Sequence, residues 1–240
     1  MCLFGPATRA HALAVKLHRR AGKFWRTQQA IAAVEFALVL PFLVILMLGS
    51  VEAARLTISA RNVTLVATTA VEMLTQNGTG TVNYIDLHFA QDSTMVIFPQ
   101  ILQDSSQKGI SWGKDISISM ASVCFTSTAK APCTPACTSN CTFANVVWNS
   151  GSNKRTCGVN LTPVADTSAP SKATLPADVF GPGSLLVVDI TFNYTPIFGL
   201  GIFGTIPIAR SAYLAPRYVP LVTYAVANGD DGIGTECPGY

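Results

Sequence analysis

The sequence predicts an α+β protein: a long N-terminal helix, half transmembrane and half exoplasmic, packed on a small, mainly antiparallel β domain with disulfide-stapled loops. Three observations carry that expectation. The 22 residues from Ala30 to Val51 are apolar apart from a single charge, Glu35. Beyond them apolar residues keep a helical period as far as Gln76, then give way after Gly80 to short strands and turn residues. Six cysteines, an even number, lie in that last part. Composition agrees. Of 240 residues 49% are hydrophobic and 12% charged, about half the charged share of ordinary soluble domains, which excludes a disordered chain and requires a membrane segment or an unusually dry exterior.

The formal net charge of +3 averages two unlike parts. Residues 1–34 carry Arg9, Lys16, Arg19, Arg20, Lys23 and Arg26 and no acid, hence +6; residues 35–240 carry ten bases and thirteen acids, hence −3. A basic stretch directly before an apolar run is explained by topology rather than by nucleic acid. The apolar run rises about 33 Å as a helix, enough for a hydrocarbon core of about 30 Å. By the positive-inside rule residues 1–30 form a cytoplasmic leader, 31–54 the transmembrane helix, 55–77 an exoplasmic helical stem and 78–240 an exoplasmic α+β domain. Phe36–Gly49, the uninterrupted part, is also long enough for a signal-peptide core. Val51-Glu52-Ala53 offers the small-residue spacing a signal peptidase accepts, so a start at Ala54 is a competing reading.

Glu35 is the most informative residue. A carboxylate in mid-span costs about 2.5–3.5 kcal/mol and is then functional; near the cytoplasmic interface the cost falls. Its surroundings read AVEFALVLPF from Ala33 to Phe42 and LGSVEAARL from Leu48 to Leu56. With the basic stretch before them, these residues resemble the TadE/TadG-like family of pseudopilins, minor components of tight-adherence (Flp, type IVc) pilus systems. The resemblance covers roughly residues 19–56 and rests on Glu35, Phe36, Pro41 and Glu52 in combination.

That resemblance implies a function: a minor pilin-like structural or assembly component in the bacterial inner membrane, N-terminus cytoplasmic and C-terminal domain periplasmic. It implies as partners the membrane, other pilin or pseudopilin subunits, the pilus assembly machinery and a prepilin peptidase, with no cofactor. It places the processing junction between Ala30 and Ile31, with the glutamate at the fifth mature position, and the assembly and register role on Glu35, Phe36 and Glu52. A new ammonium at Ile31 would lie about 6 Å along the helix from Glu35, and pairing with such an amine would offset the burial cost of the carboxylate. Ala30 stands where the family usually has glycine. The alternative is therefore an unprocessed, membrane-anchored exoplasmic binding or adhesion module.

In the stem, Leu56, Val63, Val66, Ala70 and Leu74 share one helix face, and Asn77-Gly78 supplies a C-cap signal. Thr57, Thr64, Thr68 and Thr69 lower helix propensity, so packing must hold this stem. Tyr84–Ala90 and Thr94–Leu102 read as short mixed runs with room for one helix. Ile116 to Phe125 reads as a half-buried strand, Phe143 to Trp148 as another, Ser184 to Tyr194 as the strongest, and Ile208 to Tyr213 as its return. Tyr194, Pro196, the apolar excursion 197–206 and Arg217 are similar to the closing hairpin of TadE-like proteins. Phe198, Leu200, Ile202 and Phe203 within it are either a core-filling loop or a contact surface for a subunit or lipid.

Cys124, Cys133, Cys137, Cys141, Cys157 and Cys237 are candidate disulfide residues in an oxidising compartment, with fifteen connectivities open. Zinc is the rival reading for Cys133, Cys137 and Cys141, but their spacing is not C-x₂-C and no histidine lies near, so no metal site is assigned. Catalysis has no constellation to use. His88 is the single histidine outside the leader and reads as a surface or turn residue; nucleophile elbow, H-E-x-x-H and P-loop are absent. Asn228-Gly229-Asp230-Asp231-Gly232 resembles a calcium loop only faintly and reads as a flexible tail. The sequence thus points to a structural protein, not an enzyme.

Overall fold

The computed structural model describes residues 28–240 except 130, 132, 134–136, 199–203 and 240. The basic leader and, from the apolar excursion, Leu200, Ile202 and Phe203 lie outside the described residues. The chain divides into two compact units, residues 1–53 and 54–240. Helix α1 (Gln28–Thr75) supplies all the described residues of the first unit and opens the second.

In the second unit the elements follow in the order β1 (Thr81–Val82), α2 (Tyr84–Ile97), α3 (Gln100–Lys108), α4 (Trp112–Asp115), β2 (Ile116–Thr126), β3 (Phe143–Gly151), β4 (Thr162–Val164), β5 (Thr174–Pro176), β6 (Ser184–Tyr194), β7 (Ile206–Leu214), β8 (Thr223–Tyr224) and β9 (Gly234–Glu236). Five strands form an antiparallel sheet in the order β7-β6-β2-β3-β9, while β1 pairs with β8 and β4 with β5, both in parallel. The α+β class and the mainly antiparallel sheet expected from the sequence are what the chain adopts.

The stem face packs as its spacing requires. Val63, Val66, Ala67, Ala70, Val71 and Leu74 are buried, with Leu56 and Ala60 at the margin of the same core. Fully burying each larger aliphatic chain contributes about 1.5–3 kcal/mol, ample against the weak helix propensity of the threonines. Thr64 and Thr68 point to solvent and return their hydroxyls to the carbonyls of Ala60 (3.0 Å) and Thr64 (3.2 Å). The helix end signalled by Asn77-Gly78 falls there, without a left-handed residue at either position. The helix stops at Thr75, and the left-handed residue is Gly80 (φ 75°). Asn77 instead braces the turn, donating from Nδ2 to the Thr81 carbonyl (2.9 Å) and accepting from the Thr79 N–H (2.9 Å). The main-chain N–H of Arg217 donates to the Thr75 carbonyl at the helix end (3.3 Å).

The runs 84–90 and 94–102 are likewise corrected to two helices. Asn83 and Asp86 form a reciprocal capping box at the start of α2, and Pro99 separates α2 from α3. Mixed polarity hides them, because each buries only a narrow stripe: Leu87, Ala90 and Thr94 on α2, Ile101 and Ser105 on α3.

The half-buried reading of Ile116–Phe125 is also corrected, because both faces of the central sheet are covered. Ile116, Ile118 and Met120 of β2 join Leu186, Val188, Ile190 and Phe192 of β6 under the helical layer. Ala121, Val123 and Phe125 join Leu185, Val187, Leu161 and Leu175 under the loop layer that holds β4 and β5. Serines on β2 are caught between these layers: Ser119 and Ser122 are buried. At the end of β3, Gly151 has φ 89°, and a Cβ there would lie 2.0 Å from the Ile118 carbonyl oxygen, so no other residue fits.

Candidate membrane-anchoring and assembly helix

In the first unit, the described part of α1 has an apolar surface on every side. Ile31, Val34, Phe36, Leu38, Phe42, Ile45 and Leu46 are all more than half exposed. No residue of the most apolar 18-residue window, mean hydropathy 2.7, is buried by protein. A helix apolar all round with nothing covering it is matched to lipid or to other helices, not to water. From Ile31 to Val51 the rise is about 32 Å, enough to cross a membrane. Pro41 sits inside the helix, where its missing N–H leaves the Ala37 carbonyl without its usual donor.

Glu35 stands one turn after Ile31, on the same face, and Phe36 is exposed beside it. Glu52, half-buried, closes the apolar stretch at its other end. The two carboxylates bracket sixteen residues without a charge, 36–51. Chemically the first can accept an ammonium or hydrogen-bond donors approaching from outside the helix. Ala30 is the residue before Ile31 in the same helix, so the junction read from the sequence falls inside regular structure.

The second unit uses its polar groups for bracing. Six cysteines form three bonds: Cys124–Cys133, Cys137–Cys141 and Cys157–Cys237. Among the described residues no group of three or more His, Cys, Asp or Glu side chains could hold a metal ion. His88 lies on α2 and meets Asp231 at 2.8 Å, and the hydrogen bond from His88 holds the Asp231 carboxyl below its usual range. Asp230 accepts from the Tyr224 hydroxyl (2.5 Å), and Trp148 Nε1 donates to the Val222 carbonyl (2.9 Å). The expected flexible tail at 228–232 is therefore corrected: both aspartates anchor it, one to a helix and one to β8.

Two polar centres, one buried and one partly buried, draw partners from distant segments, although Lys108 and Asp104 are also an i,i+4 helix pair. Arg155, fully buried, donates from Nε and Nη2 to Asp189 (2.8 and 3.0 Å) and from Nη1 to the Thr174 carbonyl (2.6 Å); Ser211 Oγ donates to the same carboxylate. Lys108 Nζ reaches Asp104, Asp115 and the Asn193 carbonyl, each at 2.5 Å. Burial pushes the Asp115 carboxyl up, and Lys108 partly offsets it. One signal is present: Asp189, between Val188 and Ile190, is the single charge in its strand and so requires a partner.

With this geometry in view, comparison with protein families is specific to the N-terminal helix. Residues 30–72 match the family described as TadE-like protein. The chain therefore carries a TadE-like segment that contains Glu35, Phe36, Pro41 and Glu52 and most of α1. Comparison with curated proteins and with solved structures finds no match.

Proposed function

We propose that this protein is a minor pilin-like structural component of a tight-adherence (Flp, type IVc) pilus, anchored in a bacterial inner membrane. In this reading the basic leader is cytoplasmic, residues 31–54 span the membrane, and the disulfide-braced unit faces the periplasm. The observation that carries it is the coincidence of the TadE-like match with an uncovered apolar helix bearing Glu35 near its start. A prepilin peptidase cuts between Ala30 and Ile31. The Glu35 carboxylate then pairs with an N-terminal ammonium, its own or a neighbouring subunit's, and this pairing sets the register between helices. Phe36 and the apolar residues up to Val51 pack against other pilin helices, and Glu52 marks the helix exit.

N-terminal sequencing of the membrane-extracted protein tests the junction: the expected start is Ile31. A start at Met1 favours the second reading, an unprocessed anchor for a periplasmic binding or adhesion module, which the alanine at position 30 supports. A start at Ala54 sinks both. Glu35→Ala should reduce surface pili by about tenfold, the factor that corresponds to about 1.4 kcal/mol of lost pairing. Wild-type pilus numbers would remove Glu35 from assembly.

A further inference from the structure

Among the described residues β7 is an edge strand, with β6 on one side and no strand on the other. The register fixes which of its main-chain groups are open. Phe125 N–H donates to the Gly183 carbonyl, and β2 pairs with β6 in unbroken register from there. Odd-numbered positions of β6 therefore turn their main chain to β2, and even-numbered ones turn it to β7. Even pairs with even across β6 and β7, as in Ile190 with Arg210 and Val188 with Ala212. Pro207, Ala209, Ser211 and Tyr213 are thus left with outward main-chain groups. Pro207, which has no N–H, sits where a proline costs the sheet nothing. The Ala209 carbonyl accepts from its neighbour's own guanidinium, Arg210 Nη1 (2.8 Å).

We propose that this edge is a homotypic docking site: two copies of the chain pair their β7 strands antiparallel about a two-fold axis through Ser211. Three features select a second copy and this register. First, the open N–H groups of Ala209, Ser211 and Tyr213 are symmetric about Ser211, so Ser211 meets itself and Ala209 meets the second copy's Tyr213, each pair exchanging two hydrogen bonds. Second, Pro207 then falls opposite Ala215, past the end of β7 at Leu214, and forfeits no bond. Slipping the register by two or four residues toward the start of the strand sets Pro207 opposite Tyr213 or Ser211 and loses two, one from each copy. Third, size is complementary. The same four residues, with Arg210 reaching round the edge to the Ala209 carbonyl, border a cavity of about 490 Å³, closed on its far side by the 166–170 loop and Pro176. The ring brought in opposite Ala209 comes to the mouth of that space, beside the half-buried Tyr213 that already borders it. Arg210, displaced from the Ala209 carbonyl by the incoming N–H, lies on the opposite face, across from Ala212.

Cysteine crosslinking of the full chain in membranes tests this, in a Cys2→Ser background. Hydrogen-bonded antiparallel partners stand about 5.5 Å apart at Cα, within disulfide range. Ser211→Cys should give a covalent dimer under mild oxidation, whereas Ala209→Cys and Tyr213→Cys alone should not. The double variant Ala209→Cys/Tyr213→Cys, which leaves Ser211 on Asp189, should crosslink again. Adding Ala209→Lys to Ser211→Cys should lower the yield by about tenfold, because a charge on the edge opposes strand pairing. The fluorescence of buried Trp148 checks that each variant is folded. Equal yields from the single variants, no dimer from the double variant, or a crosslink to a different polypeptide by mass spectrometry would each overturn the proposal.

Discussion

Arg155 has no contact with water, and its charge is tolerable only because Asp189 takes two of its donors and the Thr174 carbonyl a third. Removing one member of such a pair strands the other, which costs about 3–5 kcal/mol. Asp189→Ala should therefore lower unfolding stability by that amount in a urea titration followed by Trp148 fluorescence. Replacing both members with apolar residues should cost distinctly less. Half of this centre is legible in the sequence. An aspartate between Val188 and Ile190 must be paired, but nothing local names a partner 34 residues away, since loop 152–161 carries no periodic pattern. Glu35 is the opposite case. The role proposed for it rests on its immediate neighbours in the chain, Ala33 to Phe42.

At the scale of elements, legibility follows the strength of periodicity. β6 alternates so regularly that its bounds, Ser184 and Tyr194, are those the sequence suggests. The helices between residues 84 and 108 bury narrow stripes and are blurred in the sequence, although the Asn83 and Asp86 capping pair announces α2. The run 228–232 looks flexible in the sequence because its anchors lie outside it: distant His88 for Asp231 and nearby Tyr224 for Asp230. That segment has a pH signature. Burial, reinforced by Asp230, raises the Tyr224 phenol above the ordinary tyrosine value of about 10. The folded form holds this proton more tightly than the unfolded one. The contribution is thus complete below pH 10 or so and is lost as pH rises from there toward the folded value. Protection of the 223–236 amides, measured against the intrinsic base-catalysed exchange rate, should fall above pH 10, and Tyr224→Phe should flatten that fall.

For the molecule as a whole, the α+β class, the apolar helix and an even set of cysteines are legible because each is written in composition or period. Pairing of the cysteines is not, because it depends on where β3 and β9 lie in the sheet. The bonds differ in what they restrict. By loop-closure entropy Cys157–Cys237, spanning 80 residues, contributes about 4.5 kcal/mol, while Cys124–Cys133 and Cys137–Cys141, spanning 9 and 4, contribute about 2–2.6 kcal/mol each. Replacing Cys157 and Cys237 with serine should therefore lower the urea midpoint more than either other double replacement. The same bond carries a consequence in time. A ribosome makes every residue of β2, β3, β6 and β7 before it makes Cys237, so the four long strands can find their order while this clasp is still open. A chain that stops short of Cys237 therefore keeps an unpaired thiol at Cys157.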